Sequence, residues 1–154
     1  MKAGAKAGLG VLAIAIGLAQ FVSVDRSNSR PDAAGEFPAP PAVAAILERA
    51  CYDCHSNQTR WPWYARLAPV SWIAAHHVAA GRRQLNFSEW GGYYAVTRRH
   101  KLAWMARALH DEQMPPWYYR AIHPKARLSA GDRAVLARWI EAAQAGLSDS
   151  VKGQ

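Results

Sequence analysis

Cys51-Tyr52-Asp53-Cys54-His55 places two thiols and an imidazole in a C-x-x-C-H frame. That frame is the pattern of covalent c-type haem attachment. Two cysteines three positions apart can each form a thioether to one vinyl group of the same porphyrin, and the adjacent His55 is then held under the iron. The chain has 2 cysteines in 154 residues, both inside the frame, so no thiol is left over for another framework.

Two other uses of such a pair fit less well. A thioredoxin-like redox pair expects a βαβ context with the cysteines opening a helix, and here they close one. A structural zinc site needs four protein ligands, and the second half would have to come from scattered histidines with no second C-x-x-C.

The length suits one globular domain plus an extension. The formal net charge is +8, but the basic residues are scattered, with short clusters at Arg82-Arg83 and Arg98-Arg99-His100-Lys101. This pattern suits a solvated face, a partner-docking surface or carboxylate contacts, and not a nucleic-acid partner. No catalytic triad, phosphate loop or paired-carboxylate constellation is present, so an enzyme of hydrolysis or group transfer is not expected, nor is a small-molecule substrate.

Working toward the N-terminus, Asp25 to Pro41 is polar and then rich in Pro, Ala and Gly without apolar period, the composition of a linker. Before it, Lys2 and Lys6 precede Ala7–Val24, in which Gln20 and Ser23 are the polar residues. This run reads as a transmembrane anchor over 1–24 with the following domain exported. The rival is a cleaved signal segment with Gly17-Leu18-Ala19 as its small-x-small site, leaving a soluble periplasmic protein. Export suits a pair of thiols that must be handled outside the reducing cytosol.

From Pro41 the apolar residues Val43, Ile46, Leu47, Ala50, Cys51 and Cys54 follow helical spacing, so the thiols share the core-facing stripe. A polar and aromatic loop follows, Ser56 to Arg66, broken by Pro62. Arg60, Trp61, Trp63, Tyr64 and Arg66 in it are placed to donate hydrogen bonds to haem propionates. A helix from Ser71 is expected to end at Gly81. Leu85 to Gly92 reads as loop, and a third helix over 93–112 carries Leu102, Met105, Ala106 and Leu109 on one face. Ser129 and Asp132 form an S-x-x-D capping pattern ahead of a last helix with Val135, Leu136, Trp139, Ile140 and Ala143 on one stripe. That stripe should pack on the first helix, across the haem.

The sixth iron ligand is expected from Met114-Pro115-Pro116. A residue before proline is pushed out of the α region, two prolines stiffen the loop, and a thioether favours reduced iron. Met105 reads as core. Bis-histidine ligation is the rival, with His76, His77, His100, His110 and His123 as candidates.

The order of haem-attachment helix, proximal histidine, intermediate helices, Met-Pro loop and terminal amphipathic helix resembles class I cytochromes c. More closely, the chain resembles a bacterial haem-binding-domain family of small, membrane-anchored c-type cytochromes. The resemblance is carried by Gln20–Arg26, Cys51–Asn57, Arg60–Tyr64, Pro69–Trp72, Gly81–Arg83, Leu85–Trp90 and Met114–Pro116. It implies one covalent haem c, an extracytoplasmic location and an uncleaved anchor.

The expected fold is therefore all-α: a cytochrome c-like helical domain around one covalent haem over 42–146, preceded by a transmembrane helix and a 25–41 linker and followed by a 147–154 tail. The candidate cofactor-binding residues are Cys51, Cys54, His55, Met114, Arg60, Trp61 and Trp63, with His55 and Met114 on the iron. The expected function is electron transport between redox partner proteins on the periplasmic side of the cytoplasmic membrane, with no enzymatic step. The alternative is a haem-based sensor or peroxidase-like protein whose sixth position is open or held by histidine.

Overall fold

The computed structural model describes residues 2–29, 35 and 37–152, and among them every regular element is helical. In chain order these are α1 (Lys2–Ala19), α2 (Pro41–Ala50), α3 (Tyr52–His55), α4 (Val70–Gln84), α5 (Ala95–His110), α6 (Trp117–Ile122) and α7 (Ala130–Lys152). Three 3₁₀ turns punctuate them at Trp63–Arg66, Phe87–Gly92 and Pro124–Ala126.

The expectation of a membrane-spanning Ala7–Val24 segment is corrected by the structure. Helix α1 stops at Ala19, and no helix among the described residues is long and apolar enough to cross a membrane. The apolar part of α1, Ala7–Ala19, rises about 20 Å at 1.5 Å per residue, short of the roughly 30 Å of a hydrocarbon core. Alanine and glycine also take many of its positions. Just past its end stands Gln20, whose Nε2 donates to the carbonyl of Ile16 at 2.9 Å and to that of Ala68 at 3.2 Å. Its Oε1 accepts from the Ala68 N–H at 3.0 Å, so the amide binds α1 to the loop before α4.

Helix α2 starts as its prolines allow, with Pro41 in the first turn and Val43, Ile46, Leu47 and Ala50 buried. It does not run on through the thiols. The backbone breaks at Cys51 (φ −126°, ψ −36°), and the single turn α3 follows, its His55 N–H donating to the Cys51 carbonyl at 2.9 Å.

The core joins α2, α5 and α7. Leu47, Leu102, Leu136 and Ile140 are buried at its centre, and Met105 lies with them as its helical face required. At the head of α7, the Ser129 hydroxyl accepts from the Asp132 N–H at 3.0 Å while Asp132 accepts from the Ser129 N–H at 2.8 Å, a complete capping box. Asp132 also pairs with Arg49 of α2 at 2.6 Å. Arg133 donates to the Leu109 carbonyl at 3.0 Å, so α7 is tied to α5 as well as α2.

Two stretches without helical periodicity are nonetheless packed. Asn86 caps the Phe87–Gly92 turn, accepting from the Ser88 N–H at 3.1 Å, and Phe87, Ser88 and Trp90 are buried. Within the 25–41 segment, Phe37 is 6% exposed. Its ring meets those of Trp90 at 4.4 Å, Trp139 at 4.7 Å and Phe87 at 4.9 Å. A lone aromatic makes no periodic signal, yet edge-to-face contacts of this kind hold a chain firmly. At the other end, α7 continues beyond Gly146 to Lys152, and Leu147 packs against the core.

Candidate functional site

Helix α4 lies directly on α3, and Gly81 makes this approach possible. A Cβ at Gly81 would stand 2.5 Å from the Cys54 carbonyl oxygen. Gly81 is therefore not the helix stop expected from sequence: α4 runs through it to Gln84, and the Leu85 N–H still donates to the Gly81 carbonyl at 2.9 Å. The missing side chain serves packing here, not termination.

This contact orients the histidine. His55 is buried, and its Nδ1 lies 3.0 Å from the Gly81 carbonyl oxygen and 3.1 Å from that of Leu85. Facing two acceptors, Nδ1 must carry the proton, which leaves the lone pair on Nε2. That is the tautomer of a metal-binding imidazole whose second nitrogen is held by the protein. Burial lowers its pKa and keeps it neutral, against the opposing pull of the two carbonyls. The rings of Trp104 and Phe87 flank it at 6.0 and 6.4 Å.

Burial pushes the Cys51 thiol up to about 12, with Cys54 adding to the effect and Arg49 opposing it. It pushes Cys54 up to about 11, with Asp53 adding and Arg82 opposing. Reactive disulfide-exchange pairs have lowered pKa values, so these thiols do not have that character. Among the described residues there is also no group of three or more His, Cys, Asp or Glu able to hold a metal ion, as a structural zinc site would need.

Both thiols and His55 line a cavity of about 460 Å³, within the usual range of cofactor sites. Arg60, Trp61 and Met114 line it too, so six of the seven residues expected from sequence converge. Trp63 does not. It is 74% exposed, outside the cavity wall, with its ring against Tyr64 at 6.0 Å.

Arg60 is already engaged, Nε donating to Asp53 Oδ1 at 3.2 Å and Nη2 to the Glu48 carbonyl at 2.9 Å. Trp61 is the opposite case: its ring lines the cavity, while its Nε1 is buried away from the open space and has no hydrogen-bond partner among the described residues. Two thiols, a neutral imidazole lone pair and a thioether on one apolar wall suit a metal-bearing macrocycle. Haem fits this donor set.

Several wall residues had no signal in the sequence. Thr59, Trp104, Tyr118 and Tyr119 join the cavity through long-range contacts. The Tyr119 hydroxyl donates to Asp53 Oδ2 at 2.8 Å, and its ring stacks on His123 at 4.1 Å. Burial, then the Asp53 contact, raises the Tyr119 pKa well above the usual phenol range, so it stays a donor. His123 Nε2 and the Tyr64 hydroxyl are hydrogen-bonded to each other. Of the five histidines considered as distal ligands, His77 and His123 face the cavity, while His76, His100 and His110 do not.

A family model described as a haem-binding domain matches residues 14–142, most of the chain. No curated protein and no solved structure matches it.

Proposed function

This chain belongs to the haem-binding domain family, and from that premise we propose that it is a mono-haem c-type cytochrome that passes electrons between redox proteins in an exported compartment. The observation that carries the reading is the double carbonyl contact of His55 Nδ1, which leaves Nε2 as a ligand on the wall that also holds both thiols. When bound, the iron porphyrin supplies a one-electron redox couple.

The residues divide the work. Cys51 and Cys54 give the two thioether sulfurs, which fix the macrocycle without reliance on affinity. His55 Nε2 and the Met114 sulfur would hold the iron, a nitrogen and thioether pairing that raises the potential. Val70, Ile73, Trp104 and Tyr118 present apolar surface that keeps water from the metal.

The location is supported by the thiol pair, which must be kept for haem outside the reducing cytosol, and by the start of the chain. Lys2 and Lys6 ahead of a short apolar helix ending at Ala19, with Gly17-Leu18-Ala19 at its end, have the form of a secretory targeting segment.

A second ligand set has a specific observation behind it. His77 faces the cavity and stacks on Tyr118 at 5.2 Å, whereas the Nε2 of His123 is taken by Tyr64. A bis-histidine iron would therefore use His77.

The test is an absorption spectrum of the reduced protein, made in a host that matures cytochromes c, with and without carbon monoxide. A carrier gives a six-coordinate low-spin spectrum that carbon monoxide leaves unchanged. Rapid stoichiometric binding would favour the sensor or peroxidase-like alternative, and a colourless protein would end the haem reading. Cys51→Ala with Cys54→Ala should abolish haem staining on a denaturing gel.

A further inference from the structure

An electron carrier needs its proximal imidazole held in one orientation, and the following inference rests on that reading. The His55 contact with α4 is soft by itself, because one N–H is shared between two carbonyls. A second set of bonds runs the other way, from α4 to the chain just after His55. Arg82, the residue after Gly81, donates from Nε to the Ser56 carbonyl at 2.9 Å and from Nη2 to Thr59 Oγ1 at 3.0 Å.

The same guanidinium reaches outward to the segment before the domain. Its Nη1 donates to the Ser27 carbonyl at 2.9 Å and its Nη2 to Asn28 Oδ1 at 2.7 Å. Asn28 then closes on Thr59 from both sides. Its Nδ2 donates to the Thr59 carbonyl at 3.0 Å, and its Oδ1 accepts from the Thr59 N–H at 3.2 Å. Thr59 lines the cavity, and its hydroxyl donates to the Asp53 carbonyl inside the attachment frame at 2.9 Å.

We propose that Asn28 and Arg82 are positioning residues for the His55 ligand, clamping Ser56–Thr59 onto the end of α4 so that Nδ1 stays on the Gly81 and Leu85 carbonyls. Neither lines the cavity. The planar fork of arginine meets four acceptors on two segments at once, which a point-charged lysine cannot do. Residues that look like spacer in the sequence thus complete the proximal side of the site.

The experiment compares the full chain with Arg82→Gln, Arg82→Lys and Asn28→Ala, following the His55 Nδ1–H by nuclear magnetic resonance in the reduced state, together with the midpoint potential. Loss of the clamp should speed exchange of that proton about tenfold and shift the potential. Amide protection in the rest of α4 should be unchanged, and Arg82→Lys should fail to restore the wild-type signal. Wild-type exchange and potential in both Asn28→Ala and Arg82→Gln would overturn the proposal. So would global unfolding of Asn28→Ala, the milder change, since it would make the segment a general folding element. Haem staining of the wild-type chain reports separately on the haem reading. If that staining is absent, the same proton is followed in the chain as purified.

Discussion

The α-carbon of Gly81 faces the carbonyl oxygen of Cys54 so closely that a methyl group there would lie 2.5 Å from it. Backbone thus meets backbone, with no flexible side chain able to yield. Gly81→Ala should push α4 off α3 and cost about 1–3 kcal/mol, the usual range for overpacking. It should also lengthen the His55 contact to the Gly81 carbonyl. Chemical denaturation with haem-loading yield measures both effects, and wild-type values for the pair would show that α4 can shift without consequence.

Met114 and His77 offer different atoms to the same cavity. With methionine on the iron, Met114→Ala should lower the midpoint potential by on the order of 0.1 V, a fraction of the roughly 0.8 V that axial ligands span. It should also open the iron to carbon monoxide, while His77→Ala changes little. The reverse pattern in potentiometric titration would assign the sixth position to His77.

Asp132 makes the acid limb of stability. Arg49, then the Ser129 N–H and hydroxyl, hold its carboxyl at about 2 against an ordinary 3.8. Above about pH 4 the carboxylate is ionised in both folded and unfolded chains, and its contribution is complete. As the pH falls from there to about 2, the unfolded chain takes up the proton first and the contribution is lost. Arg49→Gln should cost about 1 kcal/mol or less at neutral pH and flatten the fall between pH 4 and 2. Parallel curves of denaturation midpoint against pH for the two proteins would remove Asp132 as the cause.

The attachment frame, the core stripes of α2, α5 and α7 and the Ser129–Asp132 cap were all legible in the residues. Each depends on spacing along a few turns of chain, and local spacing sets both helical phase and the reach of neighbouring side chains. The docking of the end of α1 was not legible, because Gln20 just past it bonds Ala68, 48 positions away. Nor was the role of Gly81, since a glycine near arginines reads as a helix terminus until Cys54 is seen against it. The choice of His77 over His76, the Asp53–Tyr119 bond across 66 positions and the burial of Phe37 followed the same rule. Chemistry carried by adjacent residues was determined by the sequence itself. Which surfaces meet was decided by the closed tertiary structure, because partners that far apart are brought together by the packing of the whole chain.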